Sequence, residues 1–215
     1  MGSALRGEPR RKLGGRTRYD AAGVNVIHPL ERIPAGRRKL VFLECLGLTV
    51  VLWLVLHTIA GGLATGAAPL GLVSLELART ASEVRLILAW WTDAQVVLAG
   101  LAVKADFAFI PFYATTLALV CLWAPGPIAA RGWPLSGLGR PLAWAQWIAG
   151  SLDLLENVGL LRLLDGGIRD PLPTLVAACA SLKFLLVVLG LAYGLYANWA
   201  LVELGPTQKT APPSA

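Results

Sequence analysis

Residues 40–63 read LVFLECLGLTVVLWLVLHTIAGGL, twenty-four residues with one acid and no polar stripe that would mark a soluble surface helix. A hydrocarbon core of about 30 Å is crossed by about 20 apolar helical residues, so this stretch predicts a transmembrane helix. Three further stretches have the same character. Residues 96–124 pass through LAVKADFAFIPFYATTLALVCLWA and are stopped by Pro125 and Pro127. Residues 141–164, PLAWAQWIAGSLDLLENVGLLRLL, place a proline where a first helical turn tolerates it and are followed by Gly166 and Gly167. Residues 174–202 run to Gly205 and Pro206. The expected fold class is all-α, an integral membrane four-helix bundle.

Composition points the same way. Of 215 residues, 56% are hydrophobic and 15% charged, with a mean hydropathy of +0.63. Soluble domains average about 45–50% apolar and about 25% charged residues. Disorder, collagen and a disulfide framework are excluded. The predicted organisation is a basic, disordered tail over 1–39, a four-span domain over 40–203 and a second disordered tail over 204–215.

Residues 72–91 read differently. Glu76, Arg79 and Glu83 fall at i, i+3 and i+7 on one helical face, while Val73, Leu77, Val84, Leu88, Trp90 and Trp91 occupy the rest. That pattern predicts an amphipathic helix lying in the membrane interface between spans one and two.

Charge sets the expected orientation. The first 39 residues carry ten lysines and arginines against Glu8, Asp20 and Glu31, with no early apolar segment of signal-peptide type. By the positive-inside rule such a tail is cytoplasmic, and four spans return the C-terminus to the same side. The loop between spans two and three, with Arg131 and Arg140, agrees. The other loops hold Glu76, Glu83, Asp93, Asp165 and Asp170 beside three arginines and are predicted outside. A bias this simple, with no targeting signal, fits a bacterial inner membrane.

Ionisable groups inside a span are costly and mark a pathway, a site or a buried pair. Span three carries Asp153, Glu156, Asn157 and Arg162, span two Lys104 and Asp106, span four Lys183, and span one Glu44 and His57. Gln146, Gly150, Asp153 and Asn157 step by four, three and four residues and share one face of span three, with Glu156 at its border. Counting about 1.5 Å per residue from the outer ends puts Lys183 at the depth of Asp153 and Glu156, which predicts an ion pair with one or both. The same count matches Asp106 to Arg162 and leaves Lys104 to snorkel. Pro111 removes a backbone hydrogen bond and predicts a kink, with a pocket lined by Phe112 and Tyr113. His57 falls in the same outer half.

Asp153 and Glu156 are thus candidate acid and base, with Asn157, Lys183, Asp106, Tyr113, His57 and Gln146 as candidate substrate contacts. The function expected is binding or modification of a lipid-like apolar substrate. Two alternatives stand beside it: a cluster that only holds the bundle together, and a small proton-coupled carrier. Cys45, Cys121 and Cys179 lie within spans, no CxxC occurs, and neither a metal nor another cofactor is expected. P-loop, GxGxxG, HExxH, GxSxG and kinase signatures are lacking. The expected partners are membrane lipids and not nucleic acid, since the basic tail lacks interleaved aromatics apart from Tyr19. Gly190 and Gly194 form a GxxxG pattern suited to close helix contact, within the bundle or in a homodimer. Trp123, Trp133, Trp144, Trp147 and Trp199 near one interface, and Trp90 and Trp91 near the other, read as an aromatic belt.

Overall fold

Long apolar runs separated by Gly- and Pro-rich breaks give four long helices. They are α1 (Ala35–Ala60), α4 (Asp93–Trp123), α6 (Gly139–Leu164) and α7 (Leu172–Glu203), with short helices α2 (Leu72–Glu76), α3 (Ala81–Trp90) and α5 (Pro125–Ala130) between them. The computed structural model describes residues 27–203, so most of the predicted N-terminal tail and all of 204–215 lie outside the described residues. Successive long helices run antiparallel. One end of the molecule gathers Ala35, Trp123, Gly139 and Glu203, and the other Ala60, Asp93, Leu164 and Leu172.

Three segments, α1, α4 continued through α5 (Asp93–Ala130), and α7, are long and apolar enough to cross a membrane. Helix α6 equals α1 in length at 26 residues, but Arg140, Asp153, Glu156 and Arg162 set it apart. It packs against both α4 and α7, which cover Asp153 and Glu156, whereas α1 packs along α4 and has no buried residue of its own. Exposed Leu40, Val51 and Trp53 on α1, and Leu185, Val188 and Leu195 on α7, cover the outside with apolar side chains. Such an apolar surface is compatible with a multi-pass membrane protein.

The segment expected as one interfacial helix is instead a folded cap. Thr80 accepts the Glu83 N–H while Glu83 accepts the Thr80 N–H, a capping box that starts α3 afresh. Leu75, Ala78, Val84 and Ile87 then pack with Leu63 and Trp91 onto Ala99, Val103, Leu160, Leu163 and Val176. Trp91, read as a belt residue, is a core residue donating from Nε1 to the Leu63 carbonyl at 2.9 Å; its neighbour Trp90 is exposed. The helix expected from periodicity fails because Glu76 is drawn inward, away from Arg79 and Glu83.

At the opposite end, residues expected in the disordered tail form a strap. Helix α1 begins at Ala35, and a 3-10 turn over Pro29–Arg32 precedes it. His28 is fully buried between the rings of Trp144 and Trp147, with centroids 4.7 and 4.6 Å away, and its Nδ1 accepts the Leu30 N–H. Glu31 takes both a His28 backbone N–H and a two-pronged contact from Arg140 at 2.9 Å, and Arg38 donates to the Ile33 and Glu31 carbonyls. Burial holds the His28 imidazole below its usual pKa, and the Arg140 hydrogen bonds hold the Glu31 carboxyl below its own. Both shifts disfavour protonation in the folded strap. Its stability is therefore complete above the ordinary histidine value of about 6.5, declines as pH falls below it, and declines again below about 4.5 as Glu31 protonates. The protection of the Leu30 and Ile33 amides against hydrogen exchange, taken relative to the intrinsic exchange rate at each pH, is expected to fall between about pH 7.5 and about pH 5; equal protection at both would disprove the linkage.

Candidate functional site

Lys183, the single cation in the middle of α7, meets two acids one turn apart on α6. Its ammonium lies 2.7 Å from Asp153 Oδ1 and 2.9 Å from both oxygens of Glu156, donating to Oε1. Asp153 Oδ2 accepts the Tyr113 hydroxyl from α4 at 2.8 Å. Next to this group Asn157 Nδ2 donates to Asp106 Oδ2 at 2.7 Å. Asp153, Glu156, Asn157 and Lys183 are all buried. The i, i+3, i+4 spacing of Asp153, Glu156 and Asn157 turns all three towards α4 and α7, which is why α6 sits between those helices.

A fourth acid comes from the cap: Glu76 Oε2 stands 3.8 Å from Lys183 Nζ. Its spacing in the sequence puts it on one helical face with Arg79 and Glu83. The signal that could have found it is its isolation between Leu75 and Leu77, an acid inside an apolar run. With Glu76 present, three carboxyl groups lie within 4 Å of one ammonium.

The structure assembles Asp153, Glu156, Asn157, Lys183, Asp106 and Tyr113 in one cluster. It does not bring Gln146 there. Two helical turns from Asp153, the Gln146 amide donates to the Leu186 carbonyl at 2.9 Å and fills the space over Gly190. His57 is also apart, exposed and stacked on Trp53 with centroids 5.4 Å apart. The expected Asp106–Arg162 pair is replaced by Asp106–Asn157, and Arg162 is exposed, since it lies five residues beyond Asn157 and on another face. Lys104 is exposed. The cluster stands in the half of the bundle nearer the cap and close to mid-helix: Asp153 is eleven residues from Leu164 and fourteen from Gly139, about 16 and 21 Å.

A cleft of about 640 Å³ opens onto these groups. Its α4 wall is Asp106, Phe109, Tyr113, Thr116 and Leu117, a spacing of i, i+3, i+7, i+10 and i+11 that defines one helical stripe. Phe112, expected in the pocket, falls off that stripe; Phe109 takes its place, and Pro111 sits within an unbroken α4. Leu46, Thr49, Trp53 and His57 of α1 and Phe184, Val187 and Leu191 of α7 form two more walls. Helices α1 and α7 do not pack along each other, which leaves a seam between them. Asp153, Asn157, Lys183 and Glu76 line the cleft, while Glu156 stands behind Lys183.

The GxxxG glycines are used inside the chain. A side chain at Gly190 would strike Gln146 of α6, and one at Gly194 would strike Val120 of α4, so both glycines serve close helix contact within the chain. The three cysteines are free. Among the described residues no group of three or more His, Cys, Asp or Glu side chains has metal-binding geometry. Comparisons of the chain with protein-family models, with curated proteins and with solved structures find no match.

Proposed function

We propose that α1, α4, α6 and α7 cross a bilayer as a four-helix bundle and that the cleft between them binds a lipid-like amphiphile. The observation that carries this reading is the cleft itself: apolar over most of its wall, polar where Asp106, Asp153, Asn157, Lys183 and Tyr113 gather, and bordered by a seam between two helices whose outer faces are apolar. Its volume is that of a small-molecule site. A soluble ligand would have to cross lipid to reach mid-helix depth, whereas a membrane lipid can enter sideways between α1 and α7.

Arg37, Arg38, Lys39, Arg131 and Arg140 lie at the end holding both described termini, and Glu83, Asp93, Asp165 and Asp170 lie at the capped end. This supports the orientation with cytoplasmic termini, a capped outer side and a bacterial inner-membrane location. Binding fits the geometry better than acid–base chemistry. Both Asp153 oxygens are engaged, and Glu156 stands behind Lys183 and does not line the cleft, so neither acid presents an unengaged oxygen to a bound molecule. The bundle-holding alternative draws on the same fact, because both hydrogen bonds of Lys183 go to α6.

The two separate on filling the cleft. Thr49→Trp puts a large ring into the cleft wall, while Leu185→Trp changes an exposed face of α7 that does not line it. Protein extracted in mild detergent is expected to carry an amphiphile detectable by mass spectrometry, to lose it in Thr49→Trp and to keep it in Leu185→Trp. An empty wild-type protein, or a cargo unaffected by Thr49→Trp, would refute the binding reading.

A further inference from the structure

The charges around the cleft are not balanced, and that imbalance selects a head group. Among the lining residues Glu76, Asp106 and Asp153 are acidic, and Lys183 is the only lysine or arginine. Lys183 is committed: its short contacts go to Asp153 and to Glu156 behind it, and Glu76 at 3.8 Å is beyond hydrogen-bond reach. Asp106 receives Asn157 on one oxygen, Oδ2. Tyr113 spends its hydroxyl on Asp153, and His57 is stacked on Trp53 near the mouth. The polar end of the cleft therefore presents carboxylate oxygens in surplus and few donors.

The apolar part has the opposite character. From Asp106 to Leu117 the α4 wall extends about 16 Å, with Phe109, Thr116 and Leu117 along it and Leu46, Val187 and Leu191 facing from the other walls. The Thr49 and Thr116 hydroxyls lie 3.4 Å apart, and Thr49 also donates to the Cys45 carbonyl, so this part offers little to a polar ligand. An occupant must be a chain at one end and a hydrogen-bond donor of positive charge at the other. A phosphate or carboxylate head would add a like charge beside Glu76 and Asp106, and a buried unbalanced charge of that kind is excluded by its desolvation cost.

Building on the binding reading above, we infer that the cleft takes an amphiphile with a protonated amine head, seated between Glu76 of the cap and Asp106 of α4, with its hydrocarbon chain along α4 and α7. Ammonium hydrogen bonds to carboxylates satisfy both partners in a site that water reaches poorly. The Asp153–Lys183–Glu156 group then acts as the fixed floor that keeps the native ammonium from neutralising the two acids the ligand uses.

The experiment compares three probes of equal chain length, oleylamine, oleyl alcohol and oleate, titrated into the full-length protein in detergent, with occupancy counted by native mass spectrometry. Oleylamine is expected to bind about tenfold more tightly than oleyl alcohol, the value of a charged hydrogen bond, and oleate more weakly than either. Asp106→Asn and Glu76→Gln should each bring the amine down towards the alcohol while leaving the alcohol unchanged. Glu76→Gln lies in the cap, outside the long helices, and keeps the test usable if Asp106→Asn does not fold. Equal binding of all three probes, blocked by Thr49→Trp, would overturn the amine assignment and leave the cleft reading standing. An amine preference that survives both substitutions would also overturn it, since the preference would then belong to the micelle. If no probe binds, both readings fall.

Discussion

Lys183→Met lowers the unfolding free energy by about 3–5 kcal/mol, the cost of breaking a buried ion pair by removing one partner. The side chain is buried and holds Asp153 at 2.7 Å and Glu156 at 2.9 Å, with Glu76 next nearest. Methionine matches its length but leaves carboxyl groups from α6 and α2 facing one another with no counter-charge. The result expected is a marked fall in thermal midpoint for protein purified in detergent. Neutralising the partners tests the cause: adding Asp153→Asn and Glu156→Gln to Lys183→Met should recover most of the loss, because a whole buried charge group is close to neutral in stability when removed together. An unchanged midpoint in the single variant would show that the cluster does not hold α6 to α7. A loss that the triple variant fails to recover would place the effect in packing.

Gly159→Leu has an effect of similar rank by a different route. A Cβ at this position would lie 2.4 Å from Val176 Cγ2, so α6 and α7 touch across a glycine that no larger residue can replace without moving a helix. Val176 is buried and β-branched, and its methyl cannot swing clear. Overpacking of this kind costs about 1–3 kcal/mol, and more where the neighbour is fixed. The thermal midpoint should fall, and Val176→Ala should restore part of it by clearing the collision. Gly100→Ala serves as the comparison, since nothing lies within 4 Å of a Cβ there and no loss is expected. A Gly159→Leu protein as stable as the parent would mean that α6 and α7 are not held this closely.

The two substitutions also show which parts of the molecule can be read without coordinates. The pairing of Lys183 with Asp153 and Glu156 was legible because three facts suffice for it: helical rise, the turn between spans three and four, and the cost of a lone charge at that depth. Tyr113 was legible as a pocket residue from its place beyond Pro111, although its hydroxyl contact with Asp153 was not. The spans were legible from apolar length alone, since α1, α4 and α7 are long and apolar enough to cross a membrane. Residues 141–164 read as a span beside the other three, but the charges of α6 leave it outside the helices that are long and apolar enough to cross a membrane.

Other features depended on what each helix packs against. Depth along an axis says nothing about azimuth between helices, so the count that matches Asp106 to Arg162 misses that α6 turns Asn157 towards it. The glycines at 190 and 194 carry no label saying which helix approaches them; within the chain Gln146 and Val120 do. Glu76 is the sharpest case. Its spacing from Arg79 and Glu83 is that of a solvated face, and only the Thr80 capping box, which restarts the helix, together with the unmet charge of Lys183 below, turns it inward. The sequence by itself determined an all-helical chain of membrane character and the make-up of its buried charge cluster, because apolar length and the cost of a charge in lipid act on residues one stretch at a time. Tertiary structure alone decided the cleft, the cap and the fourth carboxylate, because those exist only where α1, α4, α6 and α7 leave a space that no one of them encloses.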